Sequence, residues 1–123
     1  MPLSGHDPIY ITISEQEGTT VVGFTSTRLT DDENIELLGR ELFSLCDPKH
    51  SPRLVLDLAG VAFMTSSVLG KIITLHRKQH RREGRLVLCN IEPAIAEILE
   101  TSRLISYFNT ENDVNSALAS FDS

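Results

Sequence analysis

"RLVLDLAGVAFMTSSVLGKIITLHRKQHRREGRLVLCN", residues 53–90, decides the fold of this chain. It opens and closes on near-copies of one another, RLVLDL and RLVLCN. Each is a short continuous apolar run, the pattern of a strand covered on both faces of a parallel sheet. Between them, from about Ser67 to Glu83, Leu69, Ile72, Ile73 and His76 recur at helical spacing, and Gly84 supplies a C-terminal stop. Parallel strands joined through a helix form a crossover, and such crossovers are right-handed. The predicted core of this unit is Leu54, Leu56, Ile72, Leu86 and Leu88.

Working outward, PIYITIS and TTVVGFT are β-branched runs separated by EQEG, which predicts a hairpin. TDDENIELLGRELFSLC then places Ile35, Leu38, Leu42 and Leu45 on one helix face. Thr30 and Glu33 make a capping box there, and Asp31 and Asp32 suit the positive end of the helix dipole. Downstream, EPAIAEILET opens on a proline suited to a first helical turn, and ISYFN is predicted as a short strand. TENDVNSALASF carries Val114, Ala117, Leu118 and Phe121 in i, i+3, i+4, i+7 order, with Thr110 as cap. The sum is an α/β chain with a mixed sheet of four or five strands and about four helices. His76 falls on the buried stripe as a hydrogen-bonded core or edge histidine; His6, His50 and His80 read as surface residues.

The length of 123 residues accords with a single domain over 1–123, with 1–8 expected to be flexible. No apolar run approaches the roughly 20 residues that span a bilayer, and MPLSGHDPIY shows no secretory pattern, so the expected location is the cytoplasm. Cys46 and Cys89 lack metal-ligand spacing and read as two buried thiols rather than a disulfide or a zinc site. A net charge of −6 argues against general nucleic-acid binding. The charge is uneven: residues 1–50 carry nine acids against three bases, whereas Lys71, Arg77, Lys78, Arg81, Arg82 and Arg85 gather around one helix. That basic run is either a solvated helix face or a surface for an acidic partner.

The three hydroxyls Thr65, Ser66 and Ser67 stand where the strand hands over to the helix, beyond the carboxyl end of a parallel strand, where open α/β sheets place their ligands. TSSVL lacks the G-x-S-x-G elbow of a hydrolase, and only Gly70 lies nearby, too few glycines for a nucleotide loop. No pair of carboxylates stands out as catalytic, and no enzyme is indicated. Two readings remain for Ser66: it caps the helix, or it is a phosphorylation switch whose added charge of about −1.5 to −2 the helix start tolerates and a docked partner does not.

RLVLDLAGVAFMTSSVLGKIITLHRKQHRREGRLVLCNIEPAIAEIL closely resembles the STAS domain of bacterial anti-sigma factor antagonists. The likeness lies in a strand ending in LDL, a GV-x-F-M turn, a Ser-Ser helix start, a Leu-Gly pair, a basic helix ending at glycine, the strand LVLCN and a proline-opened helix. It is strongest over 53–100. The resemblance implies a STAS fold and a regulatory binding protein without cofactor or metal. Its expected partners are an anti-sigma factor that is also a serine kinase and a PP2C-type phosphatase. It implies Ser66 as the phosphoacceptor, with Ser67 and Thr65 as structural hydroxyls or secondary acceptors. The implied partner surface takes in Thr30, Asp31, Met64, Thr65, Ser67 and Leu69, the last either a core residue or an apolar anchor. The expected state is a monomer or weak dimer. Thr65 and Val68 replace the Asp and Gly usual in the family, and Thr27-Arg28-Leu29-Thr30 replaces its G-x-L-D, with Asp31 as a partial substitute. The alternative within the family is a non-phosphorylated scaffold or transporter-complex subunit.

Overall fold

The computed structural model describes residues 8–30 and 35–122. In chain order the elements are β1 (Ile11–Gln16), β2 (Thr19–Phe24), β3 (Arg28–Leu29), α1 (Ile35–Phe43) with a 3-10 turn over Ser44–Cys46, and β4 (Arg53–Asp57). There follow β5 (Phe63–Met64), α2 (Ser66–Arg81), β6 (Arg85–Cys89), α3 (Pro93–Thr101), β7 (Asn109–Glu111) and α4 (Val114–Ser120). The main sheet has the order β1-β2-β4-β6-β7, antiparallel in the hairpin and parallel from β2 onward. A separate parallel ladder joins β3 to β5. The expected mixed sheet is present, with five strands and four α-helices among the described residues.

β4 and β6, expected over 53–58 and 85–90, run parallel and in register, Leu54 against Leu86 and Leu56 against Leu88. Their alternate side chains go to opposite faces, which is why the runs are apolar throughout. Leu54, Leu56, Leu86 and Leu88 pack with Leu42, Ile72, Leu75 and Leu99 on the face covered by α1, α2 and α3. Val55, Val87 and Cys89 pack with Ala117, Leu118 and Phe121 of α4 on the other. Cys89 is fully buried, and burial, helped by Asp57 and Asp113, pushes its thiol up to about 12. Cys46 is only half-buried, contrary to expectation, because the 3-10 turn carries it to the edge of α1; both thiols are free.

Three boundaries differ from the sequence reading. α2 ends at Arg81 rather than Glu83, and the left-handed residue is Glu83 (φ 61°), not Gly84. The Glu83 N–H donates to His80 O (3.1 Å) and the Gly84 N–H to Gln79 O (2.7 Å), the two bonds of a Schellman stop. Gly84 serves close approach instead: a Cβ there would lie 2.6 Å from Pro52 O. α4 is capped by Asp113, whose Oδ1 accepts from the Ser116 N–H at 2.8 Å, because Thr110 sits inside β7. ISYFN is not a strand. The N–H groups of Leu104, Ile105, Tyr107 and Phe108 bond back to Leu99 O or Leu104 O, and the paired segment starts at Asn109. The Asp31 and Asp32 helix start, the Glu33 half of the capping box, His6 and all but Pro8 of the 1–8 stretch lie outside the described residues.

His76 is half-buried between the rings of Tyr107 (4.8 Å) and Phe108 (5.4 Å). Its Nδ1 is buried without a hydrogen-bond partner among the described residues, so the hydrogen-bonded histidine expected there is not found. His50 is half-buried, 3.8 Å from Glu15, and His80 is exposed. Burial, with His80 adding to it, holds His76 below the ordinary histidine pKa. The unfolded chain therefore takes up the proton first as the pH falls. Stability from this group is complete above about pH 6.5 and declines between there and the lower folded-state value. The urea midpoint should drop between about pH 7.5 and about pH 5.5, and His76→Phe should flatten that drop. An equal slope in the variant would assign the effect to other groups.

Candidate functional site

β3 and β5 bring two loops together that lie far apart in sequence. Arg28 pairs with Phe63 and Leu29 with Met64. The Ala62 N–H donates to Thr27 O (2.8 Å) and the Thr65 N–H to Leu29 O (3.0 Å). Leu29 and Met64 point into the core, while the outward residues Arg28 and Phe63 stack, the guanidinium carbon 4.5 Å from the ring centroid. This ladder pairs Leu29, the residue before Thr30, with Met64, two residues before the start of α2. Thr30 is half-buried and lines a small cavity of about 110 Å³ with Tyr10, Arg28 and Ile35; Asp31 lies outside the described residues.

Thr65 is the N-cap of α2. Its backbone is extended (φ −85°, ψ 166°), its Oγ1 accepts from the Val68 N–H at 3.3 Å, and its carbonyl accepts from the Leu69 N–H at 3.0 Å. The capping reading of Ser66 is thereby corrected: in a Thr-Ser-Ser run any of the three can cap, and the residue held extended by the β5 pairing takes the role. Ser66 and Ser67 are the first two helical residues, both exposed, with neither hydroxyl bonded to any described residue. No acid occupies the first turn of this 16-residue helix, and among the described residues no side-chain anion is bonded to its positive end. Neither serine has a base within hydrogen-bond reach among the described residues, so the geometry offers a hydroxyl without a local activator.

Val68 is completely buried, so the side chain that replaces the family's glycine points into the core and leaves the outer surface unobstructed. Leu69 takes the core position of its two alternatives, at 6% exposure, and Met64 is likewise buried. Among the described residues, the accessible surface near Ser66 includes Thr65, Ser67, Gly70 and the Arg28–Phe63 stack. Sequence reasoning missed Arg28 and Phe63, because the pairing that joins them is tertiary. Among the described residues no three His, Cys, Asp or Glu side chains are grouped to hold a metal ion.

The family model of the STAS domain matches residues 10–117. A curated relative from Bordetella bronchiseptica, BtrV, named as an anti-sigma factor antagonist, is 31% identical over 93 residues, covering 76% of this chain and 79% of its own length. Among solved structures, an anti-sigma-factor antagonist (STAS) domain protein from Planctomyces limnophilus superposes with a TM-score of 0.82 at 22% identity, covering 92% of this chain and 98% of that one. The Bacillus cell fate determinant SpoIIAA in its phosphorylated form superposes with a TM-score of 0.62 at 16% identity, over 83% of this chain and 91% of that one.

Proposed function

This chain belongs to the STAS domain family, and we propose that it acts in the cytoplasm as an anti-sigma factor antagonist switched by phosphorylation of Ser66. It binds a kinase-type anti-sigma factor through the β3–β5 ladder and the start of α2, and so frees the sigma factor. Transfer of a phosphoryl group from ATP on the kinase to the Ser66 hydroxyl ends that binding, and a PP2C-type phosphatase restores it. The observation that carries this reading is the division of labour among the three hydroxyls: Thr65 caps the helix, which leaves Ser66 exposed and unbonded among the described residues. Modification of Ser66 therefore costs no structural hydrogen bond. The name of the Bordetella relative and the phosphorylated state of SpoIIAA support the same reading.

The test is incubation with ATP and a kinase-type anti-sigma factor from the same organism, followed by peptide mass spectrometry. One phosphate on the peptide containing Ser66, lost in Ser66→Ala, is the expected result. Undiminished labelling of Ser66→Ala would move the role to Ser67 or Thr65. An unlabelled wild type would favour the scaffold or transporter-subunit alternative.

A further inference from the structure

α2 contains no Asp or Glu, yet Arg77, Lys78, His80 and Arg81 crowd its last two turns. Cations suit the negative end of a helix, which accounts for their sign in the last turn. It does not account for Arg77–Arg81 and Lys78–Arg82, like charges four residues apart that repel. Among the described residues the ion pairs are His50–Glu15, Arg53–Asp122 and Lys71–Glu36, so this group is unpaired on a chain of net charge −6.

Arg82 is fixed in place. Nη1 donates to Leu45 O and Gln79 Oε1 (both 3.1 Å) and Nη2 to His50 O (2.9 Å). These uncharged acceptors orient the guanidinium without neutralising it. Lys78 Nζ lies 5.3 Å from the centroid of the Phe43 ring. Between α2 and the end of α1 is a cleft of about 490 Å³, lined chiefly by Phe43, Cys46, Asp47, Lys78, Arg81 and Arg82. Its apolar element is the Phe43 ring, and of its three cations Arg82 is hydrogen-bonded in place.

We infer that this cleft is a second docking surface, which takes an acidic, apolar-tipped segment of a partner protein. Carboxylates meet Lys78, Arg81 and Arg82, and an apolar side chain rests on Phe43. An acidic protein segment fits better than a nucleic acid, because the lining includes the Phe43 ring, which an apolar side chain can meet and a phosphate backbone cannot. A bilayer fits worse still, since the large exposed apolar side chains, Ile9, Phe63 and Tyr107, are absent from the lining. Lys78 lies twelve residues along α2 from Ser66, roughly 18 Å at the rise of an α-helix. The two ends of α2 can therefore be engaged together, and the inference stands independently of any role of Ser66.

The test uses the full chain and a fluorescein-labelled peptide of about nine residues, a Leu-Phe centre flanked by glutamates, followed by anisotropy at low salt. The controls are its lysine counterpart, a short DNA duplex and phosphatidylglycerol vesicles. The acidic peptide should bind with a Kd of about 10–100 µM. Lys78→Glu with Arg81→Glu should weaken it at least about tenfold. The double Gln variant, which keeps the fold safe from charge reversal, should weaken it less, and Ser66→Asp should leave it unchanged. Bound peptide should also slow alkylation of Cys46 by iodoacetamide; Cys89, fully buried with its thiol at about 12, does not compete. No binding at about 1 mM, equal binding by the charge variants, preference for the lysine peptide, DNA or vesicles, or unchanged Cys46 alkylation would each overturn the inference.

Discussion

Leu56→Ala should lower the free energy of unfolding by about 2–5 kcal/mol. Leu56 is fully buried in the middle strand of the sheet, paired with Val22 on one side and Leu88 on the other, under the layer that contains Ile72 and Leu75. Truncation removes the transfer energy of three carbons and leaves a cavity. The parallel ladders on both sides of β4 prevent the backbone from closing in. A domain of this size is stable by about 5–15 kcal/mol in total, so the change takes a large share of the reserve. Chemical denaturation followed by circular dichroism reads it directly. A loss below about 1 kcal/mol would mean that the centre of the sheet relaxes far more than its pairing allows.

That residue could be chosen from the sequence because the β4–α2–β6 unit announces itself in side-chain pattern. Two continuous apolar runs flank one helical period, and burial on both faces leaves few other arrangements. The hairpin was legible for a similar reason, with β-branched residues on each side of Glu17-Gly18, which both adopt positive φ (51° and 75°). What escaped depends on pairing between distant segments. β3 and β5 have two residues each, too few for any period, and only their mutual ladder makes them strands. β7 reads Asn-Thr-Glu and owes its state to the free edge of β6, whereas the aromatic ISYFN, with better strand propensity, folds back on α3. The same limit applied at the candidate site. The position of Ser66 at a helix start was readable, but which hydroxyl caps was not, since all three are good caps. The Thr65–Leu29 hydrogen bond selects among them. Arg28 and Phe63 were invisible as a pair until β3 and β5 came together.

Phosphorylation of Ser66 should weaken binding to the anti-sigma factor at least about a hundredfold while leaving the fold intact. The phosphate arrives at the first helical residue, where free N–H groups and the helix dipole favour an anion, and the cap on Thr65 is untouched. On the proposed interface the same charge would be covered by the partner over Thr65, Ser67 and the Arg28–Phe63 stack, and a buried charge that the partner does not match with a cation is expensive. The stability terms and the binding terms thus act in opposite directions on one group, which is what a switch requires. Ser66→Asp should reproduce the direction with a smaller loss, about tenfold, because a carboxylate carries less charge on a shorter arm. Calorimetric titration of the unmodified, phosphorylated and Ser66→Asp forms against the anti-sigma factor measures the difference, with thermal unfolding of each form alongside. Phosphorylated protein that binds as tightly as the unmodified form would remove the start of α2 from the interface. A large fall in Tm on phosphorylation would show instead that the modification acts by loosening the helix.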